Sequence, residues 1–161
     1  NEKNDGLMNA FTWKVDLTKP GILNHDQLVK TLENAVRDNP KTTFIACHLA
    51  NTCSDLNMLG RLFDLYPNLY ADIAARYGEI APIPKFVHAF LEKYADRIVY
   101  GTDMGTSTSM YEATYRILES NDEHFYEHDQ FGYHWPLYGL GLTPATLEKI
   151  YNGNGKKILA K

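Results

Sequence analysis

The chain has 161 residues, of which 44% are hydrophobic and 22% are charged, with a formal net charge of -4 and a pI near 5.8. These values are typical of one globular domain. The acidic balance argues against a broad nucleic-acid-binding surface, which is normally basic. No apolar run approaches the roughly 18 residues of a membrane span. The composition therefore excludes nucleic acid and membrane as partners and favours a soluble protein, with the cytoplasm as the expected compartment.

The N-terminal residues and the two cysteines carry little functional information. The start, Asn1 to Gly6, is polar and lacks an initiator Met, so it does not resemble a signal peptide and is typical of a processed or truncated end. The spacing of Cys47 and Cys53 matches neither a redox Cys-x-x-Cys pair nor a usual zinc pair. Because Cys47 falls within an apolar run, we expect it to be a small buried hydrophobic residue.

Apolar periodicity and turn signals predict alternating helices and strands after a loop over residues 1–24. Helices are predicted over 26–38, 54–66, 84–94, 108–119 and 143–151, with Asn24, Ser54 and Thr143 as N-caps and with Asn154 capping a short terminal helix. Strands are predicted over 42–47, 69–73 and 97–101. This alternation predicts an α/β fold with a parallel sheet and right-handed crossovers.

A parallel sheet of three strands is small for this architecture. Parallel strands need cover on both faces, and a three-stranded piece has two open edges. We therefore expect either a further strand within residues 1–24 or a chain that forms part of a larger barrel.

Three successive strands are each followed by a residue that can do chemistry. His48 and Asp103 end the apolar runs 42–48 and 97–103, and Arg76 ends the run 69–76. In parallel sheets and barrels, ligands bind at the carboxyl ends of the strands. Taken singly, His48 could be a core histidine, Asp103 a helix cap and Arg76 half of an ion pair. Their shared position at neighbouring strand ends instead predicts one wall of an active site.

A histidine-rich segment matches a zinc-binding pattern, but the residues that flank it do not favour a zinc site. His124-Phe125-Tyr126-Glu127-His128 matches the His-x-x-Glu-His pattern of one zinc-peptidase class. That pattern needs a firm helix, whereas turn-forming residues flank this one. We interpret 125–138 as a loop or lid that packs its own aromatic side chains, and His88 as solvent-facing or structural.

Several of these segments together resemble a known family. Residues 40–49 (Pro-Lys-Thr-Thr-Phe-Ile-Ala-Cys-His-Leu), 66–76 and 97–103, followed by 138–142 and the terminal Lys149-Ile150-Tyr151 with Asn154, resemble the amidohydrolase-related branch of the metal-dependent amidohydrolase superfamily. That branch includes aminocarboxymuconate-semialdehyde decarboxylase and resorcylate decarboxylase. The resemblance spans about residues 25–161, with the motifs in the family's order and spacing.

The resemblance implies a (β/α)8 barrel, of which the strands here would be the sixth, seventh and eighth. It implies that His48 activates a metal-bound water or protonates the substrate, that Asp103 binds the metal and can accept a proton, and that Arg76 orients the substrate. The implied cofactor is a divalent metal, with zinc as first choice and manganese as second. A metal suits this chemistry because it lowers the pKa of bound water from about 15.7 to about 7.

The sequence also departs from the family. The first-strand His-x-His or Glu-x-His motif and the fifth-strand histidine are absent, and His25 lies at a helix start. The chain is shorter than the roughly 200 residues that a complete barrel requires. It is therefore interpreted as a loop or linker over 1–24 and a C-terminal half-barrel over 25–161, with retention and loss of the metal both left as alternatives.

Three functional hypotheses follow. The first is the C-terminal portion of a metal-dependent enzyme for hydrolysis or non-oxidative decarboxylation of a small carboxylated or cyclic substrate, with little activity by itself. The second is a non-catalytic half-barrel that self-associates, or associates with a missing N-terminal half, to cover its open edges. The third is a flavodoxin-like α/β binding domain, although no glycine-rich phosphate loop is present.

Overall fold

The computed structural model describes residues 16–160. Its helices are α1 (His25–Asp38), α2 (Leu56–Leu65), α3 (Tyr77–Ile80), α4 (Pro84–Lys93), α5 (Thr108–Glu119), α6 (His128–Phe131), α7 (Pro144–Glu148) and α8 (Asn154–Leu159), and its strands are β1 (Phe44–Ala46), β2 (Leu69–Asp72) and β3 (Ile98–Val99). Residues 16–24 contain no helix or strand. The rest of the predicted loop over 1–24 lies outside the described residues.

The three strands form one parallel sheet in the order β1-β2-β3. The pairing places Ala46 beside Ala71, and Ala71 beside Ile98. This arrangement confirms the α/β class and the parallel sheet with flanking helices. β1 and β3 are shorter than predicted, because the chain leaves the extended conformation at Cys47 and after Val99.

Helix α1 begins at the predicted cap and buries part of one face. The Asn24 side chain accepts from the Gln27 backbone N–H while the Gln27 side chain accepts from the Asn24 N–H, each at 2.9 Å, which forms a capping box. Val29 and Val36 are buried on the inner face. Glu33, also buried, accepts two hydrogen bonds from Arg61 of α2, which ties the two helices together.

The predicted N-cap of α2 is wrong. The cap is Asp55, whose carboxylate accepts from the Asn57 N–H, rather than Ser54. Phe86 of α4 and Leu65 of α2 are 44% and 55% exposed. Buried apolar residues of these helices join the sheet in one cluster, which includes Leu59, Leu62, Phe63, Val87, Leu91, Leu69, Ala71 and Ile98.

The C-terminal helix is continuous through a π-helical turn. Thr143 caps α7 and Pro144 occupies its first turn, as predicted. The predicted break after Tyr151 is wrong, because a π-helix over Lys149–Gly153 joins α7 to α8. Asn154 is also not a cap. It lies inside the helix and donates its side-chain amide to the backbone carbonyls of Ala95 and Ile98, both at 2.7 Å.

No helix within residues 16–160 has the length and apolar character needed to cross a membrane.

Candidate active site at the strand ends

Each of the three strands is followed by a residue with a left-handed backbone. The φ angles are +59° at His48, +53° at Ala75 and +52° at Asp103. Positive φ is uncommon for residues other than glycine, and such strain concentrates at functional sites, where surrounding contacts hold it in place. Two of the three predicted site residues therefore lie in conformations that their own side chains disfavour.

The strain is greatest after β1, where four consecutive residues are left-handed. They run from His48 to Asn51, with φ between +51° and +59°. Each such residue costs about 1–2 kcal/mol relative to a right-handed turn. Part of this cost is offset by the burial of Leu49, which is fully buried, and by the hydrogen bond from Thr52 Oγ1 to the Leu49 carbonyl at 2.8 Å.

His48 and Asp103 are brought together at this edge of the sheet. His48 Nε2 lies 3.7 Å from Asp103 Oδ2. The other ring nitrogen, Nδ1, lies 2.8 Å from the Ala74 carbonyl, which can only accept, so Nδ1 carries the hydrogen. In the neutral imidazole, the Nε2 lone pair then faces the Asp103 carboxylate. Two electron-pair donors converge on one position, which a proton or a cation can occupy.

Arg76, the third predicted site residue, is held in an ion pair. Its Nη1 donates to Glu79 Oε1 at 2.8 Å, one turn along the chain in α3. Within the part of the chain that the structure describes, Arg76 Nε and Glu79 Oε2 are buried without a hydrogen-bond partner. The guanidinium is thus directed to Glu79, while His48 and Asp103 face each other.

An aromatic strap, defined as residues 131–135, packs against the turn that carries Arg76. Trp135 Nε1 donates to the Gly78 carbonyl at 2.9 Å, and its ring stacks on Tyr133 with centroids 4.1 Å apart. Tyr133 Oη donates to Glu79 Oε1 at 3.4 Å. The strap confirms that this region packs its own aromatic side chains. Gly78 makes it possible, since a Cβ there would overlap the Tyr133 ring.

The His-x-x-Glu-His segment does not form a helical metal motif. α6 begins at His128, so His124 lies outside it, and His124 has a φ of +56°. The His128 ring packs on His134, with centroids 4.5 Å apart. His88 Nδ1 lies 2.8 Å from the Leu140 carbonyl, which agrees with a structural role.

The prediction for Cys47 is wrong, because its side chain is exposed. The left-handed turn that starts at His48 leaves Cys47 at the strand end. There the negative charge of Asp72, together with burial and Asp103, raises the pKa of the Cys47 thiol. Burial raises the pKa of Cys53 to about 12. Neither thiol has the lowered pKa of a cysteine nucleophile.

The described residues do not complete a metal site. Within residues 16–160, no group of three or more His, Cys, Asp or Glu side chains is placed to hold a metal ion. His48 and Asp103 are two donors, whereas catalytic zinc takes three protein ligands and leaves one position for water. We therefore derive no catalytic step through a metal from this part of the chain.

Asp72 is a site residue that the sequence reasoning did not single out. It ends β2, and its Oδ1 accepts from the backbone N–H groups of His48 at 2.7 Å and of Ala74 at 3.1 Å. A carboxylate at the end of an otherwise buried strand was the available signal. Arg76, which follows it in the same run, is the stronger signal for chemistry in the sequence.

The fold and the site define an α/β protein with acid–base side chains at the carboxyl edge of its sheet, as in barrel enzymes. The amidohydrolase family model matches residues 14–161, and the chain belongs to that family. Membership confirms the predicted family and indicates a metal-dependent amidohydrolase-type function, with a divalent metal as the family's usual cofactor. It gives no support to the flavodoxin-like alternative. Searches of curated proteins and of solved structures returned no match.

Proposed function

We propose that the chain is the C-terminal portion of a metal-dependent amidohydrolase-type enzyme of the decarboxylase-like branch. Its three strands would be the sixth to eighth strands of a (β/α)8 barrel. The reaction would be hydrolysis or non-oxidative decarboxylation of a small carboxylated or cyclic substrate. The observation that carries this proposal is the convergence of His48 Nε2 and Asp103 Oδ2, 3.7 Å apart, beyond the carboxyl ends of β1 and β3.

His48 is the acid–base group of this proposal. Its Nδ1–H is committed to the Ala74 carbonyl, so Nε2 exchanges protons with the substrate side. In hydrolysis, Nε2 takes a proton from the attacking water as the new C–O bond forms and returns it to the leaving group. In decarboxylation, the protonated ring gives its proton to the substrate carbon that loses CO2. Asp103 stabilises the imidazolium and can accept the proton in turn.

Arg76 orients the substrate through a carboxylate in this proposal. Guanidinium binds carboxylate with two parallel hydrogen bonds, which fixes the orientation as well as the charge. In the structure Glu79 occupies Nη1 of Arg76. A substrate carboxylate must therefore bind at the remaining donors or displace Glu79, and the aromatic strap packed on Glu79 would move with it.

The metal and its remaining ligands are supplied by another segment or chain. We propose zinc, or alternatively manganese, with Asp103 as the ligand contributed by the described residues. Since two donors are too few for a catalytic ion, the missing N-terminal half of the barrel would provide the others. The isolated 161-residue chain should accordingly show little or no turnover.

Zinc titration of the purified chain by calorimetry tests the metal role. We expect weak binding, and at least about a tenfold further loss in the Asp103→Asn variant, because a neutral amide is a poorer ligand for a divalent cation. Asp129→Asn is the matched control, since Asp129 is 93% exposed in α6. Unchanged zinc binding in D103N would refute the ligand role. Tight zinc binding with substantial metal-dependent turnover by the isolated chain would refute the proposal that its metal site is incomplete.

A non-catalytic, self-associating half-barrel is the second candidate. The observation in its favour is the outer edge of β1, with which no strand of residues 16–160 pairs and where Ile45 is 44% exposed. Homo-oligomers would cover that edge without restoring metal ligands. Light scattering of the purified chain distinguishes an oligomer from a monomer.

A further inference from the structure

We propose that Asp72 is a positioning residue that sets both the backbone and the ring orientation of His48. This inference deepens the proposed function and rests on it, since it concerns the acid–base histidine of the same site. Asp72 would act through His48 and would not contact the substrate.

Asp72 joins the ends of two neighbouring strands through one carboxylate oxygen. Oδ1 accepts from the His48 N–H of the first strand end and from the Ala74 N–H of the second, at 2.7 and 3.1 Å. The Ala74 carbonyl then accepts from His48 Nδ1 at 2.8 Å. Three hydrogen bonds among three residues thus form a closed ring, in which the Asp72 carboxylate is the hub.

This ring of hydrogen bonds stabilises the strained turn that begins at His48. His48 is the first of four left-handed residues, and its N–H has left the strand ladder. An N–H bonded to a carboxylate is held about twice as strongly as one bonded to a neutral acceptor. The Asp72 charge therefore stabilises a backbone conformation that histidine disfavours, and by fixing Ala74 it also aims the carbonyl that selects the ring tautomer.

The bond to Ala74 determines which ring nitrogen of His48 faces Asp103. With Nδ1–H held by Ala74, the Nε2 lone pair of neutral His48 is presented to Asp103 at 3.7 Å. Without Asp72, the turn and the Ala74 carbonyl lose their shared anchor. The ring would then sample both tautomers, and part of the population would present an N–H to Asp103 in place of the lone pair.

Nitrogen-15 NMR of the His48 ring, together with amide hydrogen exchange at His48 and Ala74, tests this inference without metal or substrate. The spectra are recorded above about pH 8, where imidazole is neutral. In Asp72→Ala we expect a mixed tautomer signature at His48 and exchange at both amides at least about tenfold faster. Asp72→Asn should restore the wild-type tautomer and most of the protection, because its amide oxygen still accepts. Asp96→Ala, at an exposed ion pair with Lys149, should change neither.

Unchanged ring shifts and exchange in a folded D72A variant would overturn the positioning role. If D72A does not fold, D72N decides the matter: a folded D72N protein with a scrambled His48 tautomer would overturn the acceptor role, and retention of the Nδ1–H form would support it. Because neither measurement involves metal or turnover, a failed zinc titration would reject the proposed function and leave this result standing.

Discussion

The two outer edges of the sheet differ in the hydrogen bonding of their outward-facing backbone groups. At β3, alternate backbone groups point away from β2, and the chain's own C-terminal helix satisfies them: the Tyr100 N–H donates to the Ile150 carbonyl at 3.0 Å, and Asn154 donates to the Ile98 carbonyl at 2.7 Å. At β1, the corresponding outward groups belong to Ile45, on the edge strand of the sheet.

The β1 edge is also lined with apolar side chains. A groove of about 460 Å³ runs between α1 and β1, and it is lined by His25, Leu28, Val29, Leu32, Ile45, Ala46, Cys47, Ala50 and Asn51. Leu28 is 55% exposed there. Among residues 16–160, no strand pairs with the outer edge of β1, and an edge strand beside exposed apolar surface favours the addition of a strand. Within the described residues β1 is therefore the edge available to a partner, whereas a strand added at β3 would first have to displace the Ile150 carbonyl.

This difference bears on the half-barrel interpretation. A closed barrel needs strand pairing at both edges. In the part of the chain that the structure describes, no strand occupies the outer edge of β1, where a preceding strand could pair. Pairing at the outer edge of β3 would break the hydrogen bonds that the C-terminal helix makes to Tyr100 and Ile98. Mutations at each edge test this difference.

The largest expected effect is at the covered edge. Asn154→Ala removes both hydrogen bonds to the buried carbonyls of Ala95 and Ile98, and each unsatisfied carbonyl costs about 1–3 kcal/mol. We expect a loss of about 3 kcal/mol in the free energy of unfolding, measured by urea denaturation. Asn152→Ala, which loses one exposed bond to Glu148, should cost less than about 0.5 kcal/mol. Equal effects of the two variants would mean that the helix does not secure β3 through Asn154.

The next largest effect on stability is expected at Glu33 of α1, the helix beside β1. The hydrogen bonds from Arg61 outweigh burial and hold the pKa of Glu33 at about 2, below its ordinary 4.5. Its stabilising contribution is therefore complete above about pH 4.5 and is lost as the pH falls through about 2. Glu33→Gln should cost about 2 kcal/mol at neutral pH, because a charge-assisted network becomes neutral.

Urea denaturation over a range of acidic pH measures this second effect. The E33Q variant should lose less stability than the wild type as the pH falls through that window. Asp38→Asn, in an exposed pair with Arg37, serves as the control and should leave the unfolding midpoint unchanged. A parallel acid response of wild type and E33Q would show that Glu33 does not fix α1 against α2.

Mutation of Ile45 is expected to have the smallest effect on stability. It should instead affect the association of copies through the β1 edge. Its side chain is 44% exposed, so Ile45→Lys should change the unfolding free energy little, while the charge opposes strand pairing at the β1 edge. If copies associate through this edge, their dissociation constant should rise at least about tenfold. Light scattering over a dilution series measures it. Leu65→Lys, at a residue 55% exposed on α2, should leave association unchanged, and equal effects of both variants would contradict use of the β1 edge.

Local signals in the sequence predicted the elements well where caps and periodicity decide them. The Asn24 capping box, the Thr143-Pro144 helix start and the alternation of strands with helices depend on neighbours within a few residues. They are therefore visible before folding. The parallel sheet followed from the same alternation, because strands joined by helical crossovers pair in parallel.

Long-range contacts decided what the local signals could not. Cys47 is exposed because the chain turns left-handed at His48, and that turn is held by Asp72, 24 residues away. The local sequence around Asn154 predicts a helix cap, but its side-chain amide donates to the Ala95 and Ile98 carbonyls, more than 50 residues earlier. Neither partner can be inferred from local periodicity.

For the site, the sequence by itself determined which residue types follow the strands and the family that these motifs resemble. The tertiary structure decided that His48 faces Asp103, that Arg76 is paired with Glu79, and that Asp72 anchors the turn between them. The physical reason is that strand ends are set by local propensity, whereas side-chain direction at those ends depends on backbone strain. Only contacts between neighbouring strands, distant in the chain, can hold that strain.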